Sequence, residues 1–560
     1  MLKGTAFLSI AALSCATGAV DPRDGSGGGG AAVTTTASGG ATGSGGGTGG
    51  AAAKVCAVPE GALDASPPCS GQDATPLDSF ELVPKWTYQP PPNVYFSSVP
   101  LVANLTDDNA DGHIDLCDVP DVLISAAFWS APNDPRAPAP IEKLLILSGA
   151  DGSLERIIDP VPFGGGEAAI GDLNGDGVPE IVTKTIEGRV VALSPDGAVV
   201  WTSEAEVFDP LGVAAGGPDP PLEDMLRAWH VHLSPAAIHD LDGDGSPEVL
   251  MGMTVLEADG SLRFQDPLQG AELGIEVYGS VEPLAFDLDG DGRLEILFGH
   301  VTYNAEGLEL WRVNGVTTSH AAAGNFYGDG NIEVFLASNE GFTLVDASGQ
   351  VVWGPIPVPG EEDQPSDCWH GDPQTADLDG DGAAEILFDT CRRRLVIKVD
   401  ALGPTVVRDE LATSNPTFPE YRLHLGQSAT AFDFLGLGPD WVAYHADRLD
   451  VFRGSTTMPL ISRTVAAADG PMVPVIADID NDGSADLVLR EGLPDSVKLV
   501  AYEDSRHRHS PARRIWNQRS YSAGAIREDA KVPTRAVMPW ETPEQLWMAQ
   551  GRVACAPLPR

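Results

Sequence analysis

The stretch ADLDGDGAAEILF, residues 376–388, carries four carboxylates on a nine-residue loop and ends in a short apolar run. Asp377, Asp379, Asp381 and Glu385 stand at the first, third, fifth and ninth positions, and glycine stands at the sixth, where it permits a sharp turn. The apolar run is short and rich in branched side chains. The pattern therefore predicts a loop that leads into a β-strand.

The same pattern, with asparagine at some early positions, occurs in six intact copies. They are Asp107, Asn109, Asp111 and Asp115; Asp172, Asn174, Asp176 and Glu180; Asp240, Asp242, Asp244 and Glu248; Asp287, Asp289, Asp291 and Glu295; Asp377, Asp379, Asp381 and Glu385; and Asp478, Asp480, Asp482 and Asp486. Two weaker copies are Asn325, Tyr327, Asp329 and Glu333, and Asp433 followed by Leu435 and Leu437. We expect the weaker copies to keep the fold without binding metal well.

Alternate carboxylates on a tight loop are the ligands that a hard cation with six to eight oxygen ligands requires, so the intact copies predict calcium binding. A helix-loop-helix calcium site would place its last acid at position twelve, between helices. A single copy would fit an ordinary surface turn, since Asp, Asn and Gly suit turns on conformational grounds. Six copies with one spacing and a strand behind each favour about six calcium sites.

The copies recur at an average interval of roughly 50 residues, which is typical of a propeller, a solenoid or an array. One full unit begins at Ala169 and reads AIGDLNGDGVPEIVTK, then GRVVALSPDG, then AVVWTSE, which alternates strands with turns. Four antiparallel strands per unit predict an all-β fold, a β-propeller of four-stranded blades with calcium-binding loops. Eight units predict eight blades, and seven remains an alternative if a unit is shared at the ring closure.

These motifs resemble the FG-GAP or VCBS-type repeats of integrin alpha subunits and of many bacterial secreted proteins. The resemblance covers residues 85–520 and rests on ADLDGDGAAEILF and on FDLDGDGRLEILFG from Phe286. It implies that calcium is held by the first, third, fifth and ninth side chains of each intact loop, together with a backbone carbonyl. The segment ARRIWNQRSYSAGAIREDAKVP, from Ala512, is similar to a stretch that follows such repeats in bacterial proteins, and the sequence assigns it no chemistry.

The segment KWTYQ, Lys85 to Gln89, is similar to the Trp-bearing last strands AVVWTS, LELWRV and QVVWGP. Because a free sheet edge favours aggregation, ring closure normally pairs strands from the two termini. We predict that this segment completes the blade begun at Asp478. The tryptophans at 201, 311 and 353 are better explained by packing between blades than by a carbohydrate platform.

The N-terminus predicts export. Residues 1–15 hold one lysine, an apolar stretch too short to span a bilayer, and small residues before Cys15. AALSC resembles a bacterial lipobox, with Ala12 where leucine is usual, so lipid attachment at Cys15 competes with an ordinary cleaved signal. The remaining predicted segments are a flexible Gly/Ser/Thr-rich linker at 16–55, a Cys-bearing segment at 56–84, the propeller at 85–520 and a C-terminal extension at 521–560.

Six cysteines remain besides Cys15, and an even number in an exported chain favours disulfides. They are Cys56, Cys69, Cys117, Cys368, Cys391 and Cys555. Nearness in sequence favours Cys56 with Cys69 and Cys368 with Cys391, which leaves Cys117 with Cys555. The other connectivities stay open.

The formal net charge is −47. Such a charge repels phosphate backbones and argues against nucleic acid as a partner. Loss of calcium would leave dense like charge in the loops and destabilise them. The basic run RHRHSPARR, residues 506–514, fits a solvated face or an intramolecular contact better than a binding patch.

A catalytic site is less well defined. Four histidines precede acidic loops and are expected near one end of the ring or its channel mouth, with Trp229, His230 and Trp369 nearby; they are His232, His320, His370 and His424. Ordinary loop or packing roles explain these residues better than a sugar-binding or acid/base site does. The sequence has no GxSxG, HExxH or phosphate-binding glycine motif, and abundant acids make coincidental acid pairs inevitable.

These observations predict an exported protein of the bacterial envelope, an outer-membrane lipoprotein or alternatively a secreted protein. Its expected function is to bind or adhere to a protein or glycan at the cell surface, with membrane contact only through Cys15. One alternative is a propeller-type polysaccharide lyase or other carbohydrate-active enzyme. Another is a structural scaffold in an envelope complex.

Overall fold

A computed structural model of the chain provides the architecture. The residues that it describes are 56–64, 80–130, 141–164, 167–207, 235–266, 282–316, 319–338, 340–358, 372–390, 393–400, 402–411, 429–445, 448–456, 458–466, 473–492, 497–543 and 545–547. The predicted signal and linker, residues 1–55, lie outside them. Among the described residues no helix is long and apolar enough to cross a membrane.

Eight antiparallel sheets make up the described part of the chain, and they confirm the predicted β-propeller with eight blades rather than seven. Strands form at the branched and apolar runs, and the acidic Gly-rich stretches form the loops between them. Seven sheets have four strands, and the first blade has five because two short strands, Val94–Phe96 and Leu101–Ala103, both pair with the strand Asp121–Phe128. A single 3-10 helix, Pro539–Glu541, is described near the C-terminus.

The blades follow one another along the chain, except that β1 belongs to the last. Blade 1 contains β2 (Val94–Phe96), β3 (Leu101–Ala103), β4 (Asp121–Phe128), β5 (Ile141–Ser148) and β6 (Leu154–Phe163). Blade 2 contains β7 (Ala169–Gly171), β8 (Glu180–Lys184), β9 (Arg189–Leu193) and β10 (Val199–Glu206). Blade 3 contains β11 (Ala236–His239), β12 (Glu248–Met251), β13 (Thr254–Leu256) and β14 (Leu262–Gln265). Blade 4 contains β15 (Pro283–Phe286), β16 (Glu295–Phe298), β17 (Val301–Tyr303) and β18 (Glu309–Arg312).

The second half of the ring repeats this arrangement. Blade 5 contains β19 (Ser319–Gly324), β20 (Glu333–Ser338), β21 (Gly341–Asp346) and β22 (Val351–Ile356). Blade 6 contains β23 (Gln374–Ala376), β24 (Glu385–Asp389), β25 (Arg393–Asp400) and β26 (Gly403–Leu411). Blade 7 contains β27 (Thr430–Phe432), β28 (Asp440–His445), β29 (Arg448–Arg453) and β30 (Ile461–Thr464). Blade 8 contains β31 (Val475–Ala477), β32 (Asp486–Glu491), β33 (Lys498–Asp504) and β1 (Leu82–Tyr88).

Each blade runs from a buried strand near the axis to an exposed strand at the rim. The innermost strands of neighbouring blades lie against one another, and β7 is buried along its length. At the rim, Val199 and Val200 of β10 are exposed. Because adjacent strands are antiparallel, the acidic loops between the innermost strands and their neighbours share one face of the ring with the turns that lead into the rim strands.

Strand β1 closes the ring and confirms the closure predicted for Lys85 to Gln89. It pairs with β33, and Trp86 lies opposite Ala501 in the register. The strand begins three residues earlier than predicted, at Leu82, and ends at Tyr88. The indole of Trp86 also donates a hydrogen bond to the carbonyl of Gly149 in blade 1, at 2.7 Å. The N-terminal strand thus joins the last blade to the first.

Aromatic rings on rim strands pack against glycines in the next blade. The ring of Trp201 in blade 2 lies 2.5 Å from where a Cβ on Gly260 of blade 3 would stand, and Gly260 has a φ of +81°. Trp311 and Gly349 repeat the contact between blades 4 and 5. The prediction that these tryptophans pack between blades is confirmed for Trp201 and Trp311. In blade 5, Trp353 packs against the cluster that contains Phe342.

The segment from Ala512 lies along the ring axis. The backbones of Trp516 and Val102 in β3 exchange hydrogen bonds of 2.8 and 2.9 Å. Next along the segment, the backbone carbonyl of Asn517 and the side-chain oxygen of Gln518 accept bonds from the innermost strands of blades 2 and 3. Trp547 donates to the innermost strand of blade 6. The segment therefore occupies the centre of the ring and satisfies backbone groups that would otherwise line an open channel.

The basic run at 506–514 makes intramolecular contacts, which was the second of the two roles predicted for it from the sequence. Arg508 forms a two-pronged pair with Asp504, with distances of 2.7 and 2.8 Å. Arg514 is buried and donates to Glu528 at 2.8 Å. Arg508 therefore holds the basic run against the end of β33, and Arg514 joins the axial segment to the ring through a further bond to the carbonyl of Leu116, at 2.8 Å.

The predicted pairing of Cys56 with Cys69 is wrong, since Cys56 forms a disulfide with Cys117, and this also excludes Cys117 with Cys555. A tertiary contact brings Cys56 close to Cys117, which is more distant in sequence than Cys69. The carbonyl of Cys56 accepts a hydrogen bond from the N–H of Leu116, and Val58 packs on Leu116. The remaining cysteines, which are Cys69, Cys368, Cys391 and Cys555, lie outside the described residues.

Candidate metal sites

The first residue of each acidic loop holds the turn closed. In blade 3, Asp240 accepts hydrogen bonds from the N–H groups of Gly243 and Gly245, both at 2.8 Å. The same bond from the sixth-position glycine is made to Asp107, Asp172, Asp287, Asn325, Asp377 and Asp478. Glycine is required at the sixth position because its φ is positive, as in Gly245 at +89°.

A second, buried acid anchors nearly every loop to the blade. In blade 6, Oε2 of Glu385 accepts the N–H of Leu378, the second residue after the innermost strand, at 2.8 Å. Seven of the eight blades make this contact, always through the first residue of the strand after the loop. The accepting residues are Asp121, Glu180, Glu248, Glu295, Glu333, Glu385 and Asp486. In blade 7, Asp440 begins the equivalent strand, but the N–H of Phe434 donates to the carbonyl of Phe432. The acid that begins the strand after the loop is therefore a structural group in seven blades.

Two of the acids that begin these strands were not identified from the sequence. Asp440 lies one position nearer to the loop start than the motif expects, because the loop of blade 7 is shorter. In blade 1 the acid that begins the strand after the loop is Asp121 rather than Asp115. The other motifs start directly after the innermost strand, which would be Asn104 here, but an insertion moves the start of the motif to Asp107, three residues farther along the chain. The only available signal was an acid at the start of an apolar run.

Four of the six intact loops bring three acids into one compact group. The groups are Asp240, Asp242 and Glu248; Asp287, Asp289 and Asp291; Asp377, Asp379 and Glu385; and Asp478, Asp480 and Asp486, with the ligand atoms of each group within 4.8 Å of one another. Of the remaining motif residues, Asp244, Asp381 and Asp482 lie on the same turns, and Glu295 begins the strand that follows its loop. These four groups could hold a cation through carboxylate oxygens alone.

The other two intact loops do not form such a group within the described residues. In blade 2, the Asn174 amide donates to Oε1 of Glu180 at 2.6 Å, while Asp172 and Asp176 hold the turn. In blade 1, Asp107, Asn109 and Asp111 form an exposed turn, and Asp115 lies beside the disulfide. Cys56 and Cys117 are close to Asp115, but their sulfurs are bonded to each other and are not available as thiolate ligands.

The weaker copies keep the turn, as expected, and blade 5 also keeps the anchor. In blade 5, Asn325 accepts the N–H of Gly330, and Glu333 accepts that of Phe326. In blade 7, Asp433 accepts the N–H of Leu437. Neither loop belongs to a compact acidic group among the described residues.

Burial makes the ionised form of the loop carboxylates energetically costly. Desolvation, reinforced by Asp289, Asp287 and Asp291, raises the pKa of Glu295 to about 7. Desolvation likewise raises the pKa of Glu248 and of Glu385 to about 7. Because a bound cation favours the ionised carboxylates, cation binding would offset this cost.

The oxygens available in these groups fit calcium. Oδ1 of Asp242, Oε1 of Glu385 and Oδ1 of Asp480 are buried and accept no hydrogen bond. A buried oxygen without a donor is costly unless a cation or water satisfies it. Carboxylate oxygens in a flexible loop are the donor set of calcium, and backbone carbonyls could complete the shell.

The predicted histidine site is only partly described. Nδ1 of His320 lies 2.8 Å from Asp372, at the start of the innermost strands of blades 5 and 6. Arg519 of the axial segment also contacts Asp372, at 2.7 Å, and donates to Glu167 at 3.0 Å. The guanidinium is therefore committed to ion pairs. The other residues named for this site, Trp229, His230, His232, Trp369, His370 and His424, lie outside the described residues.

The solved structures that are similar to this chain include a matrix protein and a lyase. The fold is similar to that of the V. cholerae biofilm matrix protein Bap1, with 17% identity, a TM-score of 0.59, and coverage of 84% of this chain and 99% of that chain. A rhamnogalacturonan lyase from Bacillus licheniformis shares 17% identity with a TM-score of 0.49 and coverage of 75% of each chain. No protein-family model and no curated protein matches the sequence. At this identity, the comparison with Bap1 supports the β-propeller fold alone.

Proposed function

We propose that this chain is an exported, calcium-binding β-propeller that binds a protein or a glycan at the cell surface. In this proposal calcium is a structural component of the loops. The molecule contacts the membrane only through lipid on Cys15, the linker at 16–55 serves as a spacer, and nucleic acid is not a partner.

The main observation behind the proposal is that the axis of the ring is occupied by the segment from Ala512. Propellers have a central channel, and an open channel would offer a concave site for substrate. Here Trp516 and Tyr521 are fully buried on the axis, stacked with ring centroids 4.6 Å apart. Arg519, a cationic group that could meet an acidic sugar, is already paired with Glu167 and Asp372. The loops and rim are then the surfaces that remain for a partner.

Two further observations support a surface role. The acidic loops lie on one face of the ring, so calcium would order a large part of that face at once. A biofilm matrix protein shares the propeller fold over most of this chain, and a matrix role of that kind needs export and binding but no catalysis.

A glycan array and a pull-down from envelope extracts test the proposal. The full chain carrying Cys15→Ala, which removes the lipid site, serves as probe and bait in calcium or in EGTA. We expect a defined glycan or protein to be retained in calcium and displaced by excess free chain. Asp377→Asn with Asp379→Asn should weaken retention, whereas Asp159→Asn, an exposed carboxylate outside the loops, should not.

Two results would contradict the proposal. One is the failure to find any saturable ligand in calcium. The other is an increase in ultraviolet absorbance when the chain is incubated with acidic polysaccharides, which would show lyase chemistry.

A further inference from the structure

Three of the four compact acidic groups contain a basic side chain from their own blade. In blade 3, Arg263 contacts Asp242 at 2.5 Å and Glu248 at 2.6 Å. In blade 8, Lys85 contacts Asp480 at 2.5 Å and Asp486 at 3.3 Å.

In blade 6, Lys398 pairs with Asp379 at 2.9 Å and also with Asp381. Its Nζ lies 3.5 Å from Oε1 of the anchor Glu385. Each of these three basic groups therefore touches at least two residues of the motif.

The acidic group of blade 4 differs. Among the described residues, no Lys or Arg forms an ion pair with Asp287, Asp289 or Asp291. The nearest basic residue in sequence, Arg293, pairs instead with Glu306. The charged groups that act on the anchor Glu295 are the three aspartates of its own loop.

One strand position accounts for the contrast between blades 3 and 4. Arg263 immediately precedes Phe264, whose ring packs on Gly307 of the next blade. In blade 4 the equivalent aromatic is Trp311, which packs on Gly349, and the residue before it is Leu310. Both Arg263 and Leu310 are bulged out of the strand pairing, since Phe264 and Leu262 pair with the neighbouring residues Val255 and Leu256, and Trp311 and Glu309 pair with Thr302 and Tyr303. From this bulge the guanidinium of Arg263 also donates to the carbonyl of Ala305 in the next blade, at 2.9 Å. An arginine at this position reaches the acidic loop, whereas Leu310 supplies no charge.

We propose that these internal counter-ions divide the calcium sites into two affinity classes, with blade 4 in the tight class and blades 3, 6 and 8 in the weak class. This inference rests on the calcium binding proposed above. A basic group within about 3 Å of two ligands neutralises part of their charge and repels an incoming divalent cation. Calcium affinity in oxygen sites follows ligand charge, so we expect a difference of roughly tenfold or more.

Calorimetric calcium titration of the chelator-stripped full chain tests the inference through a reciprocal exchange. Arg263→Leu should move one site from the weak to the tight class, and Leu310→Arg should move one site in the opposite direction. Leu310 is 46% exposed, so the second variant should fold normally. The double variant should restore the wild-type number of tight sites. Lys143→Met, which removes a lysine paired with Asp159 away from the loops, should change neither class.

Thermal unfolding in EGTA gives a second readout. Arg263→Leu should lower the melting temperature in EGTA and enlarge the rise caused by calcium, because the loop loses its own counter-ion. If calcium binds but both single variants leave the site classes unchanged, the inference is wrong while calcium binding stands. If no variant binds calcium, the inference and the proposed calcium binding both fail.

Discussion

Oε2 of Glu385 accepts the N–H of Leu378 at 2.8 Å, while Oε1 of the same carboxylate is buried without a hydrogen-bond donor. One oxygen holds the blade, and the other, which lies 3.5 Å from Nζ of Lys398, is available to a cation that displaces the lysine. Glu385→Gln should therefore keep the fold and lose calcium affinity, since an amide oxygen accepts the bond but carries no charge. Glu385→Ala should also cost about 1–3 kcal/mol of unfolding free energy, because it leaves a buried N–H unpaired. Urea unfolding in EGTA measures this difference.

Glu333 in blade 5 provides the matched control. It makes the same anchor contact with Phe326, but Tyr327 and Asn325 replace acids in its loop. Glu333→Ala should destabilise the chain to a similar degree, and Glu333→Gln should leave calcium stoichiometry unchanged. Equal stability of Glu385→Ala and Glu385→Gln would show that the hydrogen bond contributes nothing.

The contact between Trp201 and Gly260 predicts a severe effect of a single methyl group. Gly260→Ala would place Cβ 2.5 Å from the indole at a φ of +81° and should cost more than about 2 kcal/mol, combining backbone strain with overpacking. Gly315 has the same φ of +81° with open space around it. Gly315→Ala should therefore show the strain alone, and the gap between the two variants in urea unfolding measures the packing between blades. If the two costs are equal, the contact is unimportant.

Ring closure predicts that the N-terminal strand is essential to stability. Deletion of residues 80–95 removes β1 and two of the three residues of β2, exposes the edge of β33 and deprives Gly149 of its bond from Trp86. We expect a sharp fall in melting temperature by calorimetry. Leu402→Ala, which alters a side chain that is 93% exposed, should have no effect. A deletion variant with the same melting temperature as the full chain would exclude this ring closure.

His509 predicts a loss of stability in mild acid. It is buried against Phe80 and Phe434, donates from Nδ1 to the carbonyl of Ala485 at 2.7 Å, and burial lowers its pKa to about 4. The pKa in the unfolded chain is about 6.5, so the unfolded state binds more protons between pH 6.5 and 4. Stability should therefore fall through this window, by roughly 3 kcal/mol from this group. His509→Phe should remove that part of the pH dependence, and an identical slope in both proteins would refute the assignment.

Arg519 predicts a strong dependence on the axial ion pairs. It donates to Glu167 and Asp372 in a buried environment, so Arg519→Met leaves two carboxylates without their partner. Removal of one member of a buried pair typically costs about 3–5 kcal/mol. Arg519→Lys should recover part of this loss in urea unfolding. A neutral Arg519→Met variant would mean that the axial segment is not held by these pairs.

The sequence predicted the features that depend on local spacing. The acids, the glycine and the following apolar run each constrain one loop and one strand, so their repetition was sufficient to predict eight blades. The similarity of KWTYQ to other rim strands was sufficient to predict ring closure.

The features that were missed depend on tertiary contacts. The Cys56–Cys117 disulfide follows from packing of residues 56–64 on the loop of blade 1, and the axial position of Trp516 follows from pairing with Val102 across the chain. The anchor Asp121 was hidden by an insertion that shifts the acidic motif away from it. Arg263 was not connected with Glu248 because only the strand register brings them together.

Thermal unfolding of the full chain in calcium and in EGTA tests most directly whether the acidic repeats form a calcium-stabilised propeller. We predict a saturable rise in melting temperature with calcium, a much smaller rise with magnesium at the same concentration, and loss of most of the rise in a variant with Asp287, Asp289 and Asp291 changed to Asn. The same melting temperature in calcium and in EGTA would contradict the account, and the loops would then be turns of the propeller without a metal.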